Sequence, residues 1–181
     1  PERRVLGIIR PTAECIGNIT HSRHVGIVAT PGTIKSNSYP LEINKLYPDI
    51  KVSGEPCPMW APLVENYEFD SPGADYFVKK RINNLMRKDP EIDSIILGCT
   101  HYPLLLNKII KYVPKGVSII PQGEYVANSL KDYFKRHPSI EEMCTKKGSC
   151  RYLTTESPEK FKESAQVFLH ESIEVENINL D

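Results

Sequence analysis

Short apolar runs alternate along the chain with longer segments whose apolar residues recur every three to four positions, the sequence form of a parallel α/β layer. Val5 to Ile9 predicts a strand, followed by a short helix from about Ala13 to His21. His24 to Ala29 predicts a second strand, rich in β-branched residues. Thr30-Pro31-Gly32-Thr33 reads as a loop opening a helix, with Thr30 or Thr33 as its cap and Lys35 following. Pro40 should kink that helix or divide it. A third strand is expected near Ile50 to Ser53, and the prolines at 56, 58 and 62 make Glu55 to Pro62 an ordered, partly extended loop. A helix from about Gly73 to Arg87 follows, with Tyr76, Phe77, Ile82, Leu85 and Met86 on its apolar side.

Ser94 to Gly98 predicts a buried strand. Pro103 falls in the first turn of the next helix, where proline is favoured, so Cys99 to Tyr102 forms the turn between them. Val117 to Ile120 is one more short strand. From Gln122 onward the pattern changes to a helix ending near Arg136, a polar linker from Pro138 to Ser149, a strand Cys150 to Thr154, a helix Pro158 to Leu169 and a last strand near Ile173 to Val175. A domain crossing near Pro121 is expected, dividing the chain into residues 1–121 and 122–181.

With 181 residues, 40% hydrophobic and 25% charged, the chain can build one sizeable core or two small lobes. Its 23 Lys+Arg cancel 23 Asp+Glu, and the longest basic run is Lys79-Lys80-Arg81, so no nucleic-acid partner is expected. Apolar stretches such as Ile95 to Gly98 fall far short of the ~20 residues a spanning helix needs, so no membrane partner is expected either. Cys15, Cys57, Cys99, Cys144 and Cys150 are odd in number and form no CxxC pair, which argues against a disulfide framework and for the reducing cytoplasm. The chain starts at Pro1 with no signal segment, and further upstream sequence is expected.

The segment from Ile95 to Leu105 combines four features that suit a reactive thiol. Cys99 follows a strand's carboxyl end, where ligands bind in open parallel sheets. Gly98 allows close approach of another backbone. Free amides at the start of the next helix would favour a thiolate. Thr100 and His101 bring a hydroxyl and an imidazole within two residues of the sulfur. An inert alternative stands beside this: Cys99 as a small buried hydrophobe and His101 as an ordinary helix-start residue.

Gly98-Cys99-Thr100-His101-Tyr102-Pro103 resembles the second catalytic-cysteine motif of the glutamate racemases. Gly26 to Ser36, ending in Thr33-Ile34-Lys35-Ser36, and Cys57-Pro58-Met59-Trp60-Ala61-Pro62-Leu63-Val64-Glu65 resemble two further segments of that family, in the expected order. His101 after Thr100 favours glutamate, because the related aspartate racemases more typically carry Glu at that position. The resemblance implies a three-layer parallel-sheet α/β lobe, residues 1–121, plus a C-terminal segment, 122–181, that belongs to a second, incomplete lobe.

It also implies cofactor-independent, metal-free racemisation of L-glutamate to D-glutamate for peptidoglycan synthesis, with two cysteines on opposite faces of the α-carbon. On that basis Cys99 is one acid/base, His101 tunes or relays its proton, and Glu65 is the carboxylate partner of His101; taken alone, Glu65 reads as a surface acid. Thr100 holds substrate through its hydroxyl and amide. Thr30 and Thr33 either line the site or simply cap a helix. Cys57 is expected to be structural and Cys15 core or half-exposed. Cys144 and Cys150 with His137 make only a weak metal pattern, and His21, His24 and His170 read as surface or packing residues.

Two features departing from the family shape the remaining expectations. Neither an Asp-Ser-Gly nor a Cys-Asn-Thr segment of the family's amino-terminal lobe occurs here, so the 181 residues alone are expected not to racemise. The apolar faces of Tyr152, Leu153, Phe161, Ala165, Val167, Phe168 and Leu169 would then lack their cover, and would pack irregularly, stay mobile or pair with a second copy as a homodimer. Competing functions are a related racemase, such as one for aspartate, and a non-catalytic module binding a small anion or a protein partner.

Overall fold

A computed structural model of the chain describes residues 6–146 and 148–180. The chain forms two compact units, Pro1–Arg136 and His137–Asp181.

The first unit is built on a four-stranded sheet of β1 (His24–Ala29), β2 (Lys51–Pro56), β3 (Ser94–Leu97) and β4 (Ser118–Pro121), in the order β2-β1-β3-β4 and parallel throughout. The central strands are almost wholly buried, as parallel strands covered on both faces must be. Val25, Ile27 and Ala29 of β1 and Ile96 of β3 join one core with Ala13 and Ile16 of α1 (Ile9–Ile19) and Tyr39 and Ile43 of α3 (Ser38–Leu46). Gly26 faces the other way: a Cβ there would stand 2.8 Å from Leu85 Cδ2 on α5 (Pro72–Lys88). Helices thus cover both sides of the sheet, giving the expected three-layer α/β lobe. Among the described residues no helix is long and apolar enough to cross a membrane.

The amino-terminal strand expected at Val5 to Ile9 is replaced. Val5 lies outside the described residues, Leu6 to Ile8 take no strand structure, and α1 begins at Ile9. The helical period wins because Ile9, Thr12, Ala13, Ile16 and Ile19 recur on one face, and that face is buried. Pro11 falls in the first turn, where no N–H is needed.

The helix after Thr30 is divided as expected, into α2 (Pro31–Ser36) and α3, but the break is at Asn37, which takes φ +56°. Pro40 rests harmlessly in the first turn of α3. The proline loop is shorter than expected, because Trp60–Glu65 form a helix, α4. Pro56 ends an edge strand, Pro58 lies in the turn and Pro62 in α4's first turn, all places that tolerate a missing donor. The helix expected at Pro103 opens as a single 3-10 turn, Tyr102–Leu105, before α6 (Leu106–Tyr112). Helix α7 (Gln122–Arg136) packs on α1, so the boundary between compact units follows Arg136 rather than Pro121.

At the amino ends of the strands, Asp93 ties the exit of α1 to β3. Its carboxylate accepts from Thr20 Oγ1, His21 N and Ser22 N at 2.7 Å and from Ser94 Oγ at 2.9 Å. Burial pushes this carboxyl up, but the hydrogen bonds outweigh burial and hold it at about 2. A depressed carboxyl stabilises the fold above its ordinary value of 3.8 and loses that contribution as pH falls towards 2. Asp93→Ala should therefore cost about 2–3 kcal/mol at pH 7, read from urea unfolding. A loss under about 1 kcal/mol would show that the carboxylate holds nothing together.

The second unit is one parallel βαβ turn, β5 (Tyr152–Thr154), α9 (Pro158–Leu169) and β6 (Val175–Asn177), preceded by α8 (Pro138–Glu142). Ser157 caps α9 through Lys160 N, and Pro158 takes the first helical position. The last strand begins at Val175, two residues after the expected start, because Ile173 packs with Ala165 before pairing begins. Leu153, Phe161, Val167 and Leu169 are exposed.

Candidate functional site

Each strand of the first sheet delivers a polar or reactive residue at its carboxyl end: Thr30 after β1, Cys57 after β2, Cys99 just beyond β3 and Gln122 after β4. The chain leaves β1 for β2 at one edge and leaves β3 for β4 at the other. The crevice between β1 and β3 is therefore the topological switch point, where open α/β sheets bind ligands. Val28 pairs with Leu97, so Thr30 and Cys99 each lie two residues beyond that pair, at the carboxyl ends of adjacent strands.

Gly98 makes this close approach possible. Its amide donates to Val28 O at 2.8 Å, and a Cβ would meet Ala29 Cβ at 3.0 Å and Val28 O at 3.2 Å. Cys99 follows as a half-buried free thiol. Its Sγ is 3.6 Å from His101 Nδ1, while His101 Nε2 is 3.2 Å from Glu65 Oε1 on α4. Nε2 thus lies at ion-pairing distance from a carboxylate, while Nδ1 faces the thiol. Glu65 is largely exposed, so water screens this pair.

The support beneath is dry. Trp60 and Tyr102 are fully buried, edge to face at 4.8 Å, which fixes α4 against the 3-10 turn and hence Glu65 against His101. Tyr102 Oη donates to Cys57 O at 3.2 Å, and Cys57 N donates to Ala29 O at 2.8 Å. Burial pushes the Cys57 thiol far up, so it stays protonated and serves packing.

Cys99 and Thr100 open onto a cleft of about 360 Å³ that Leu97, Pro103, Gln122 and Val126 also line. Larger hollows of about 390 Å³ on α9 and 420 Å³ between α1 and α7 contain no thiol, so chemistry rather than size selects the site. Thr30 caps α2: its Oγ1 accepts from Thr33 N at 3.4 Å and meets Thr33 Oγ1 at 3.0 Å. Thr33 lines a separate cavity of about 130 Å³ beside Ile34 and Tyr39.

The structure thus brings Cys99, Thr100, His101 and Glu65 together, while Thr30 and Thr33 bond to each other at the start of α2 and neither lines the cleft. Sequence reasoning missed Gln122 and Tyr39. Gln122 could have been found from its position, the first residue after a parallel strand's carboxyl end. Tyr39 carries no such signal, since its approach to Gly98 depends on the break at Asn37.

No protein-family model matches the chain. Individual proteins do. A glutamate racemase from Streptococcus uberis is 36% identical over 179 residues, 97% of this chain and 66% of the relative. One from Shouchella clausii is 34% identical over 178 residues, covering 98% of this chain and 63% of the relative. The crystal structure of glutamate racemase isoform RacE1 from Bacillus anthracis superposes with a TM-score of 0.89 at 33% identity, over 99% of this chain and 66% of that one. The Francisella tularensis glutamate racemase, solved in complex with D-glutamate, gives 0.81 at 28% identity over 96% of this chain and 63% of that one. The chain therefore spans just under two thirds of the length of its relatives. Alignment over almost the whole chain at about one third identity, together with the shared fold of the sheet that carries Cys99, shows that this chain belongs to the glutamate racemase family.

Proposed function

We propose that this chain carries one of two proton-transfer centres of a cofactor-independent glutamate racemase, the Cys99 centre. The observation that carries the proposal is the chain of contacts from Cys99 Sγ to His101 Nδ1 and from His101 Nε2 to Glu65. His101 takes the thiol proton at Nδ1, and Glu65 stabilises the resulting imidazolium through Nε2–H. The thiolate then removes the α-proton of glutamate: an S–H bond forms, and the C–H electron pair stays on carbon as a carbanion-like centre. A second thiol on the opposite face returns a proton and inverts the carbon. The α-proton of an amino acid is weakly acidic, so the cleft must also stabilise the developing charge and exclude water. Thr100, which lines the cleft beside Cys99, holds substrate.

Cys99 is the only cysteine among the described residues lining the cleft, which supports assigning the opposing thiol to sequence that the relatives carry and this chain does not match. Of the segment 122–181, the part beyond Arg136 is proposed to complete the lobe that supplies it. The 181 residues alone are then inactive, and the full gene product makes D-glutamate in the cytoplasm for peptidoglycan.

Alkylation of the full gene product tests this reading. Glutamate of either hand should slow iodoacetamide labelling of Cys99 at least fivefold, yet leave exposed Cys144 and Cys150 unaffected. Chiral chromatography should show D-glutamate formed from L-glutamate by the full product and none by residues 1–181. Unprotected Cys99, or racemisation by the 181 residues alone, would overturn the corresponding part.

A further inference from the structure

Gln122 opens α7 directly after Pro121 ends β4, and it lines the same cleft as Cys99. Its side-chain amide is engaged at both ends inside the fold. Nε2 donates to Leu97 O at 2.9 Å, and Oε1 accepts from Tyr39 Oη and Thr12 Oγ1, each at 2.9 Å. The partners decide which end of the amide is which. A backbone carbonyl only accepts, so the NH2 must face Leu97 and the oxygen must face the two hydroxyls. Thr12 Oγ1 also lies 3.3 Å from Ile8 O, but its single proton goes to the nearer acceptor.

The carbonyl of Leu97 and the amide of Gly98 belong to one peptide plane. Its C=O is held by Gln122 on the β4 side, and its N–H by Val28 O at 2.8 Å on the β1 side. Both polar groups of the Leu97–Gly98 peptide, one peptide short of Cys99, are therefore pinned. Tyr39, buried and fixed by the same glutamine, places a ring carbon 3.4 Å from the position of a Gly98 Cβ, closing the turn from behind. A network tying β3, α1 and α3 together could be simple packing. Its concentration on the peptide that leads into Gly98 and Cys99 argues for more.

We propose that Gln122 is a positioning residue for Cys99: by pinning the Leu97–Gly98 peptide it sets where the thiol stands relative to the His101 imidazole and the cleft. The purpose of that placement rests on the racemase reading; the placement itself does not. With the peptide released, Sγ drifts from Nδ1 and the thiolate loses its stabilising neighbour.

The test is the pH profile of Cys99 alkylation by iodoacetamide, followed by mass spectrometry. Gln122→Met keeps length and removes the amide; the midpoint should rise by about half a pH unit, with a threefold or larger fall in rate at pH 7. Gln122→Glu turns the donor into a carboxylate and adds negative charge beside the thiol, raising the midpoint by about one unit. Tyr39→Phe deletes one hydroxyl and should move the profile the same way by less. Buried Cys57 reports on folding, since it must stay protected. If Gln122→Met exposes Cys57, the decision passes to Tyr39→Phe and Gln122→Glu. Profiles that overlay the wild type with Cys57 protected overturn the role of Gln122. A wild-type Cys99 no more reactive than Cys144 and Cys150 instead overturns the racemase reading, because the Gln122 comparison is made against the wild type and is judged separately.

Discussion

Replacing Cys99 with serine is expected to lower racemisation of both glutamate enantiomers in the full gene product by about 10³-fold. Serine keeps the size and the hydrogen bond to His101, but its hydroxyl ionises far above the working pH and cannot act as the base. Nδ1 would still face the serine hydroxyl at hydrogen-bonding distance, so the loss measures the chemistry of the sulfur rather than a gap in the cleft. Cys57→Ser is the natural companion. Its thiol is held protonated by burial and touches the site only through the backbone, so it should change kcat by no more than a few-fold, though it places a hydroxyl in an apolar seat. Circular dichroism of glutamate gives both rates. A Cys99→Ser enzyme keeping a tenth of wild-type kcat would exclude the thiol as an obligatory acid/base.

The readable part of this fold was where local pattern and global packing agree. The segment Ser94 to Pro103 has a buried run, a glycine and a proline in one order, and each feature limits the backbone by itself; the strand and turn follow. Helix α9 and helix α7 were equally plain, because serine with proline, or the end of an apolar run, marks their starts. The amino-terminal segment was misleading because three of the five residues from Val5 to Ile9 are β-branched, while the helical face that is buried continues to Ile19. The break at Asn37 was hidden by Pro40, a stronger breaker in general that proved harmless in a first turn. At the site, Cys99, Thr100 and His101 were visible because they are adjacent in sequence. Gln122 and Tyr39 reach the same turn from other elements, and only the parallel order β2-β1-β3-β4 brings them there.

Glu55→Ala is expected to destabilise the first unit by about 3–5 kcal/mol, the largest stability effect foreseen for a single substitution. Glu55 is the penultimate residue of β2, two residues before Cys57, and is 2% exposed. Its carboxylate accepts from Arg81 Nη1 at 3.1 Å, Asn84 Nδ2 at 3.2 Å and Lys88 Nζ at 2.5 Å, tying the edge strand to α5. Alanine would leave the half-buried Arg81 without its counter-charge and empty a seat beneath the Cys57 turn that carries Tyr102. Burial pushes the Glu55 carboxyl up, but hydrogen bonds from Lys88, Arg81 and Asn84 outweigh it and hold the group below its ordinary value of 4.5. The stabilisation is therefore complete above pH 4.5 and is lost as pH falls through the lower folded-state value. Glu55→Gln separates charge from shape: it keeps an acceptor for Arg81, so it should cost less than alanine. Its deficit against the wild type should shrink on acidification, because the wild-type carboxyl then becomes neutral too. Urea unfolding of the three proteins between pH 3 and 7 measures this. A Glu55→Gln deficit that stays constant across that range would mean that the charge contributes nothing and that geometry alone holds β2 to α5.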